Sequence, residues 1–234
     1  MSLSKRTILQ SYTVPESEGT SAEICDTTLA DMAGVGLAAD LTSTRESLLS
    51  GISPLDDFLG GGLVCGTICE WGIPFGSGGR EVVAAFLAGV SRLAERSSDA
   101  APPWILWAHG RSGLTAYPPA WHARGVPLTR TRFAEAGKPV VDLKPVFMDP
   151  FFKVIVLDAP RSLSDDDCAF LARQARAHGQ VVIILRDYFL GQRRGNVWAR
   201  LRLNCWCPDP VQNPETVNLR VVRGLAQRQM QWRL

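Results

Sequence analysis

Thr67-Ile68-Cys69-Glu70-Trp71, followed by Gly72-Ile73-Pro74-Phe75-Gly76-Ser77-Gly78-Gly79-Arg80-Glu81, reads as a strand, a glycine loop and the first turn of a helix. That is the build of a phosphate-binding loop, in which backbone N–H groups cradle the phosphates. A working loop of the form G-x-x-x-x-G-K-[ST] adds a lysine for the β/γ-phosphates and a hydroxyl for Mg²⁺. Counted back from Gly78, this loop carries one extra residue, and Gly79, Arg80 and Glu81 stand where Lys and Ser/Thr belong. Glu81 would bring negative charge towards the phosphates. A point charge about 4 Å away contributes roughly 4 kcal/mol at a surface-like dielectric, so losing the lysine is a large loss. The expectation is a nucleotide-loop fold without nucleotide hydrolysis, with Gly72, Gly76, Gly78, Gly79 and Arg80 as a degenerate loop.

The segments on either side place this loop in an alternating α/β chain. Upstream, Leu48, Leu49, Ile52, Leu55, Phe58 and Leu59 suit an apolar helical lead-in ended by Gly60-Gly61-Gly62. Downstream, Glu81 to Glu95 reads as an amphipathic helix and Trp104 to Trp107 as a short buried strand. Tyr117 to His122 opens a brief helix with proline at a permitted early position, Arg132 to Ala134 forms a short strand, and Val140 to Asp149 is a helix broken or kinked by Pro145. Val154-Ile155-Val156-Leu157-Asp158 has the continuous apolar run of a central parallel strand covered on both faces. Ser164 caps a helix whose first turn holds Asp165, Asp166 and Asp167 and which Gly179 stops after His178. Val181 to Leu185 is another buried strand. Arg200 to Cys207, Thr216 to Arg223 and Gln227 to Arg233 then form an antiparallel extension. A mostly parallel sheet with helices on both faces and an antiparallel end follows from that order.

Composition sets the outer bounds. At 234 residues, 46% of them hydrophobic, the chain fits one large α/β domain over residues 46–234 plus an N-terminal arm over residues 1–45, a candidate oligomerisation segment. The net charge of +2 conceals a gradient: residues 1–49 hold three Lys/Arg against seven Asp/Glu, and residues 186–234 hold nine Arg against three Asp/Glu. The basic end is therefore the expected surface for an acidic partner. Met1 to Val14 lacks an apolar core of the signal-peptide kind and no run approaches the ~20 apolar residues of a membrane span, so a cytoplasmic protein with no membrane partner is expected. Six cysteines without a secretory signal read as reduced thiols. Cys65 and Cys69 on one strand and Cys205 and Cys207 on another would approach a zinc site only if those strands were neighbours. No C-x-x-C pair is present, so buried small hydrophobes and no metal are expected.

The order of segments over about residues 45–234 resembles the core of the RecA recombinase family. Leu49-Ser50-Gly51-Ile52-Ser53-Pro54-Leu55-Asp56, Leu59-Gly60-Gly61-Gly62-Leu63 and Gly66-Thr67-Ile68-Cys69-Glu70 are similar to the approach to the RecA P-loop. Val154 to Asp158 resembles the Walker B strand, which implies that Asp158 is the vestige of the Mg²⁺-linked carboxylate. Leu219-Arg220-Val221-Val222-Arg223 resembles the late strand whose basic residues reach a neighbouring subunit. Three departures stand out: Trp107-Ala108-His109-Gly110-Arg111 offers no glutamate to activate water, the DNA-binding loop is reduced to Leu190 to Asn196, and the chain ends at Leu234 without a C-terminal domain. Among RecA relatives it is similar to the ImuA family, through the degenerate loop, Tyr117-Pro118-Pro119-Ala120-Trp121 with Gly125-Val126, and Leu157-Asp158-Ala159-Pro160-Arg161. That resemblance implies a non-catalytic regulatory or scaffold protein of SOS-induced translesion DNA synthesis and mutagenesis. The partners it implies are RecA, ImuB and an error-prone replicative-type polymerase, with no catalytic residues and no cofactor.

Arg193, Arg194, Arg200 and Arg202, interleaved with Trp198 and Trp206, are the candidate contacts to single-stranded DNA or to a protein partner, because arginine beside aromatic rings suits phosphate contact with base stacking. Arg220 and Arg223 join them as subunit or partner contacts. The alternative role for arginine on such a segment is the protection of a sheet edge. Two other functions compete with the scaffold. One is an ATP- and Mg²⁺-dependent DNA-binding ATPase in which Arg80 stands in for the lysine. The other is a cell-division inhibitor similar to SulA, which shares the fold and lacks the nucleotide site.

Overall fold

The computed structural model describes residues 46–97, 101–110, 117–192 and 195–234. The proposed arm over residues 1–45 lies outside them, as do Arg111, Arg193 and Arg194. Ten strands are seen among the described residues. Eight of them form one sheet, and the other two, β1 (Ser47–Leu48) and β2 (Leu63–Val64), pair antiparallel beside it. The large sheet comprises β3 (Thr67–Gly72), β4 (Ile105–His109), β5 (Thr131–Glu135), β6 (Val154–Asp158), β7 (Val181–Arg186), β8 (Ala199–Trp206), β9 (Thr216–Arg223) and β10 (Gln229–Arg233). Its order is β10-β9-β8-β3-β7-β6-β4-β5; β8 through β5 run parallel and β8-β9-β10 antiparallel. The mostly parallel sheet with an antiparallel end is as the segment order predicts.

Helices cover both faces. The long helix α2 (Gly79–Arg96), which follows α1 (Ser53–Phe58), buries Val82, Val83, Phe86, Leu87 and Val90 against Trp71, Trp107, Val156, Ile183 and Leu203. After α3 (Pro118–Ala123) and the two short helices α4 (Pro139–Asp142) and α5 (Lys144–Phe147), α6 (Asp165–His178) buries Leu171 and Ala175 on the opposite face, with Ile68, Ile155 and Val182. Side chains alternate across a strand, so adjacent residues of β3 and β6 serve opposite cores. That is why β6 reads as a continuous apolar run. Ser164 and Asp167 form the reciprocal capping box of α6, and Gly179 ends it at φ 62°.

Two expected elements differ. The lead-in is not one helix from Leu48: Ser47–Leu48 is a strand, and α1 begins only at Ser53, after Gly51 at φ 70°. A Cβ on Gly62 would lie 2.3 Å from the Leu48 carbonyl oxygen, so the glycine run both ends α1 and admits β1 alongside. The helix expected over Val140 to Asp149, broken or kinked by Pro145, is two short helices that meet at Leu143, just ahead of that proline. Residues just ahead of proline are pushed away from helical geometry, which moves the break upstream.

Candidate functional site

The glycine loop leaves the C-terminal end of β3, and Asp158 ends β6 at the same edge of the parallel sheet, with β7 between them. Gly78 caps α2 at φ 72°, so the chain turns from loop to helix through a backbone shape that L side chains rarely adopt. The loop is fastened from both sides. Ile73 N–H donates to the Arg186 carbonyl at 2.7 Å, and the Ser77 carbonyl accepts from Cys207 N–H at 2.7 Å.

Gly79 occupies the position of the missing lysine, and the space beyond its Cα is filled. A Cβ there would lie 2.7 Å from Ile73 Cγ2 and 3.0 Å from the Cys205 carbonyl oxygen. Arg80 turns inward instead. Its Nε donates to both Asp158 oxygens at 2.9 and 3.0 Å and its Nη2 to Oδ1 at 2.8 Å. The Asp158 side chain is 3% exposed and that of Arg80 16%. The guanidinium thus neutralises the carboxylate that the RecA resemblance implies as the vestige of a metal-linked group, and it also lies 5.9 Å from the centre of the Phe75 ring. Asp158 thus has an arginine as its charge partner. Glu81 is paired with Arg124, the residue just past α3, and is not an isolated anion at the loop. Phe75, Arg80, Ala84, Trp121 and Arg124 line a cavity of about 310 Å³ beside this pair.

β4 ends in His109, beside Asp158 of β6 on one side and Glu135, the last residue of β5, on the other; among the described residues the His109 Nδ1 is buried without a partner. Gly110 follows, held by its N–H to the Asp158 carbonyl at 2.8 Å and packed so that a Cβ would lie 2.6 Å from Pro160 Cα. Ala159, next to Asp158, adopts φ 47°. It is the only non-glycine residue with positive φ among those described, a strained backbone where β6 leaves the sheet.

A second polar cluster lies one strand away. Glu70 of β3, 1% exposed, accepts from Arg186 Nε at 2.8 Å, Arg202 Nε at 3.2 Å and the Asn196 backbone N–H at 3.2 Å. Arg202 also donates to the Gly191 carbonyl at 3.0 Å, and Asn204 exchanges two hydrogen bonds with the Leu190 backbone at 2.7 and 3.0 Å. The segment after β7 is therefore pinned onto β3 and β8. This corrects Arg202: with 1% of its surface exposed it is an internal tie and not a contact to DNA or protein. Arg200, Arg220 and Arg223 are exposed. Glu70 and Arg186 were missed in the sequence; the available signal was a carboxylate inside the apolar run Ile68-Cys69-Glu70-Trp71, since a buried carboxylate requires cations.

Burial pushes the thiols of Cys69 and Cys205 up to about 12 and that of Cys168 to about 11. Among the described residues no group of three or more His, Cys, Asp or Glu gathers to hold a metal ion, and no helix is long and apolar enough to cross a membrane. The chain matches no protein-family model. No curated protein matches it either.

Proposed function

We propose that this chain is a non-catalytic RecA-like protein of the ImuA kind, a regulatory or scaffold component of SOS-induced translesion synthesis that binds RecA, ImuB or both. The observation that carries the non-catalytic part is the Arg80–Asp158 pair. A phosphate-binding loop works by presenting unpaired positive charge and a metal-linked carboxylate to the nucleotide. Here the cation of the loop and the carboxylate of β6 neutralise each other, and Gly79 is too closely packed for the missing lysine side chain. The same pairing counts against the ATPase alternative, because Arg80 is engaged with Asp158 and would have to leave a buried anion to meet a phosphate.

The RecA-like part is supported by the relation of loop and carboxylate at one edge of a mostly parallel sheet, and by its antiparallel continuation through Arg220 and Arg223. The partners rest on the sequence resemblance. Equilibrium ATP binding with and without Mg²⁺, together with phosphate release, tests the first part; turnover that disappears in Asp158→Ala would overturn it. Capture of RecA and of ImuB by the tagged chain tests the second. Failure to bind either purified protein would remove the scaffold role.

A further inference from the structure

We infer that Arg130 and Arg132, held against the ring of Trp104, form a docking site for an acidic peptide segment of a protein partner, one that also carries an apolar side chain. The site lies at the N-terminal ends of β4, β5 and β6, the opposite end of the sheet from the glycine loop and Asp158, and it rests on neither. Thr131, which opens β5, stands opposite Ile105, which opens β4, and both are buried. Side chains alternate along a strand, so Arg132 and Trp104 share the other face. There the guanidinium carbon of Arg132 lies 4.6 Å from the centre of the indole and that of Arg130 lies 5.1 Å from it. Phe151 stacks on the same ring at 4.9 Å and an interplanar angle of 29°, and Phe152 meets Phe151 edge-on at 4.9 Å.

Two like charges are thus held beside one ring without an anion of their own. Among the described residues neither Arg130 nor Arg132 has a carboxylate partner, whereas Lys153, at the same end of β6, is paired with Glu46 at 3.1 Å. Asp149, two residues before Phe151, is used inside its own turn, where its Oδ1 accepts from the Phe151 N–H at 2.8 Å. Arg132 gives Nη1 to the Thr131 carbonyl at 3.1 Å, which leaves most of its fork of donors to a ligand. Packing against the indole fixes the guanidiniums and leaves N–H edges to meet oxygens, so binding need not order them first. A peptide with neighbouring carboxylates supplies an anion to each arginine. Phe151, 51% exposed, and Met148, 56% exposed at the head of the same turn, add apolar surface for its other side chain. Arginine with aromatic anchors is the composition that dominates protein interfaces. A free phosphate would leave the apolar surface wet. A nucleic-acid strand would find no open indole face to stack on, because phenyl and guanidinium groups already lie against it.

The test is fluorescence anisotropy of a short labelled peptide alternating aspartate and leucine, titrated with the full chain over a range of salt. Wild type should bind it saturably at low salt and more weakly as salt rises. The same peptide with asparagine for aspartate, a control that leaves the protein unchanged, should bind roughly 5- to 30-fold more weakly, as loss of two charge pairs at the upper end of the exposed range does. Serine for leucine should also weaken binding several-fold. Arg130→Gln with Arg132→Gln should lower affinity for the acidic peptide by the same factor as asparagine does and flatten its salt dependence. Arg130→Lys with Arg132→Lys should keep the salt dependence and lose part of the affinity, since lysine lacks the planar fork. Absence of binding at low salt, equal binding of the acidic and asparagine peptides, or indifference to leucine would each overturn the proposal. So would a double-glutamine variant that melts and binds like wild type. Displacement of the peptide by inorganic phosphate or oligodeoxythymidylate as effectively as by unlabelled peptide would overturn it in favour of a plain anion or a nucleic acid. The experiment uses neither ATP, RecA nor ImuB, so it fails separately from the scaffold reading.

Discussion

Arg80→Met removes the guanidinium from Asp158 while keeping most of the packing of the side chain. The pair is bidentate, with three N···O contacts between 2.8 and 3.0 Å, and its carboxylate side is 3% exposed. With charge centres about 4 Å apart at an effective dielectric near 20, the attraction is roughly 4 kcal/mol. Desolvation of both ions opposes it, and the 16% exposure of Arg80 admits some screening. Removing one partner of a buried pair costs roughly 3–5 kcal/mol because the other is stranded. The expected loss here is at the lower bound, about 3 kcal/mol, which for a domain of this size lowers the Tm by roughly 6–12 °C. Asp158→Asn should cost less, since Arg80 can turn towards solvent over Phe75. The double variant should lose less than the sum of the singles by about 1–3 kcal/mol, the signature of direct coupling. Urea denaturation of wild type, both singles and the double reads all four corners. A loss below about 1 kcal/mol in Arg80→Met, the range of exposed pairs, or strict additivity would refute the view that Arg80 neutralises a buried carboxylate.

Three further outcomes are expected. Glu70→Gln removes the one carboxylate charge that Arg186 and Arg202 share and should cost about 3 kcal/mol, the lower end for a buried pair, with faster limited proteolysis after β7; resistance equal to wild type would show that the segment is held by other contacts. Gly79→Ala must move Ile73 or the Cys205 carbonyl and should destabilise by roughly 1–3 kcal/mol, read from the same urea curves; no change would mean the loop yields freely. Burial raises the Cys69 and Cys205 thiols from 9.0 to about 12 and Cys168 to about 11, so the unfolded chain loses these protons first. Their stabilisation is full below about pH 9 and declines above it by about 1.4 kcal/mol per thiol per pH unit until the folded values are reached; Cys168→Ala should shallow the decline, and an unchanged slope would exclude that thiol.

The parallel core was legible because its signals are local and redundant. Val154 to Asp158 and Val181 to Leu185 are too apolar for a half-exposed strand, and Ser164 with Asp167 and Gly179 marks both ends of α6 by side-chain chemistry and backbone freedom. What could not be read was set by contacts between distant residues. Ser47 and Leu48 have a helix-compatible pattern and become a strand only because Val64 and Leu63 lie beside them. Arg202 looked like its exposed neighbour Arg200, and its burial follows from Glu70, 132 positions earlier. For the same reason the pairing of Arg80 with Asp158 was not read, because a separation of 78 residues in sequence becomes 2.8 Å only through the sheet order.

If the loop is the degenerate phosphate cradle proposed above, its departures from a working one act together. A carboxylate at the end of a doubly covered parallel strand is buried by the fold itself, and it must be neutralised whether or not a nucleotide is present. In a nucleotide enzyme the bound metal ion and its ligands supply that charge when the site is loaded. Here Arg80 supplies it permanently from the first turn of α2, so Asp158 is compensated without any ligand. Its neighbour Gly79 lets Ile73 and the β8 backbone close against the helix start. Filling either role again would therefore disturb the other: a lysine at position 79 meets the Cys205 carbonyl, and a hydroxyl in place of Arg80 leaves Asp158 unpaired. The strand, glycine turn and helix start fix the backbone of this loop, and the charge of Arg80 points inward, where it ties the start of α2 to the end of β6.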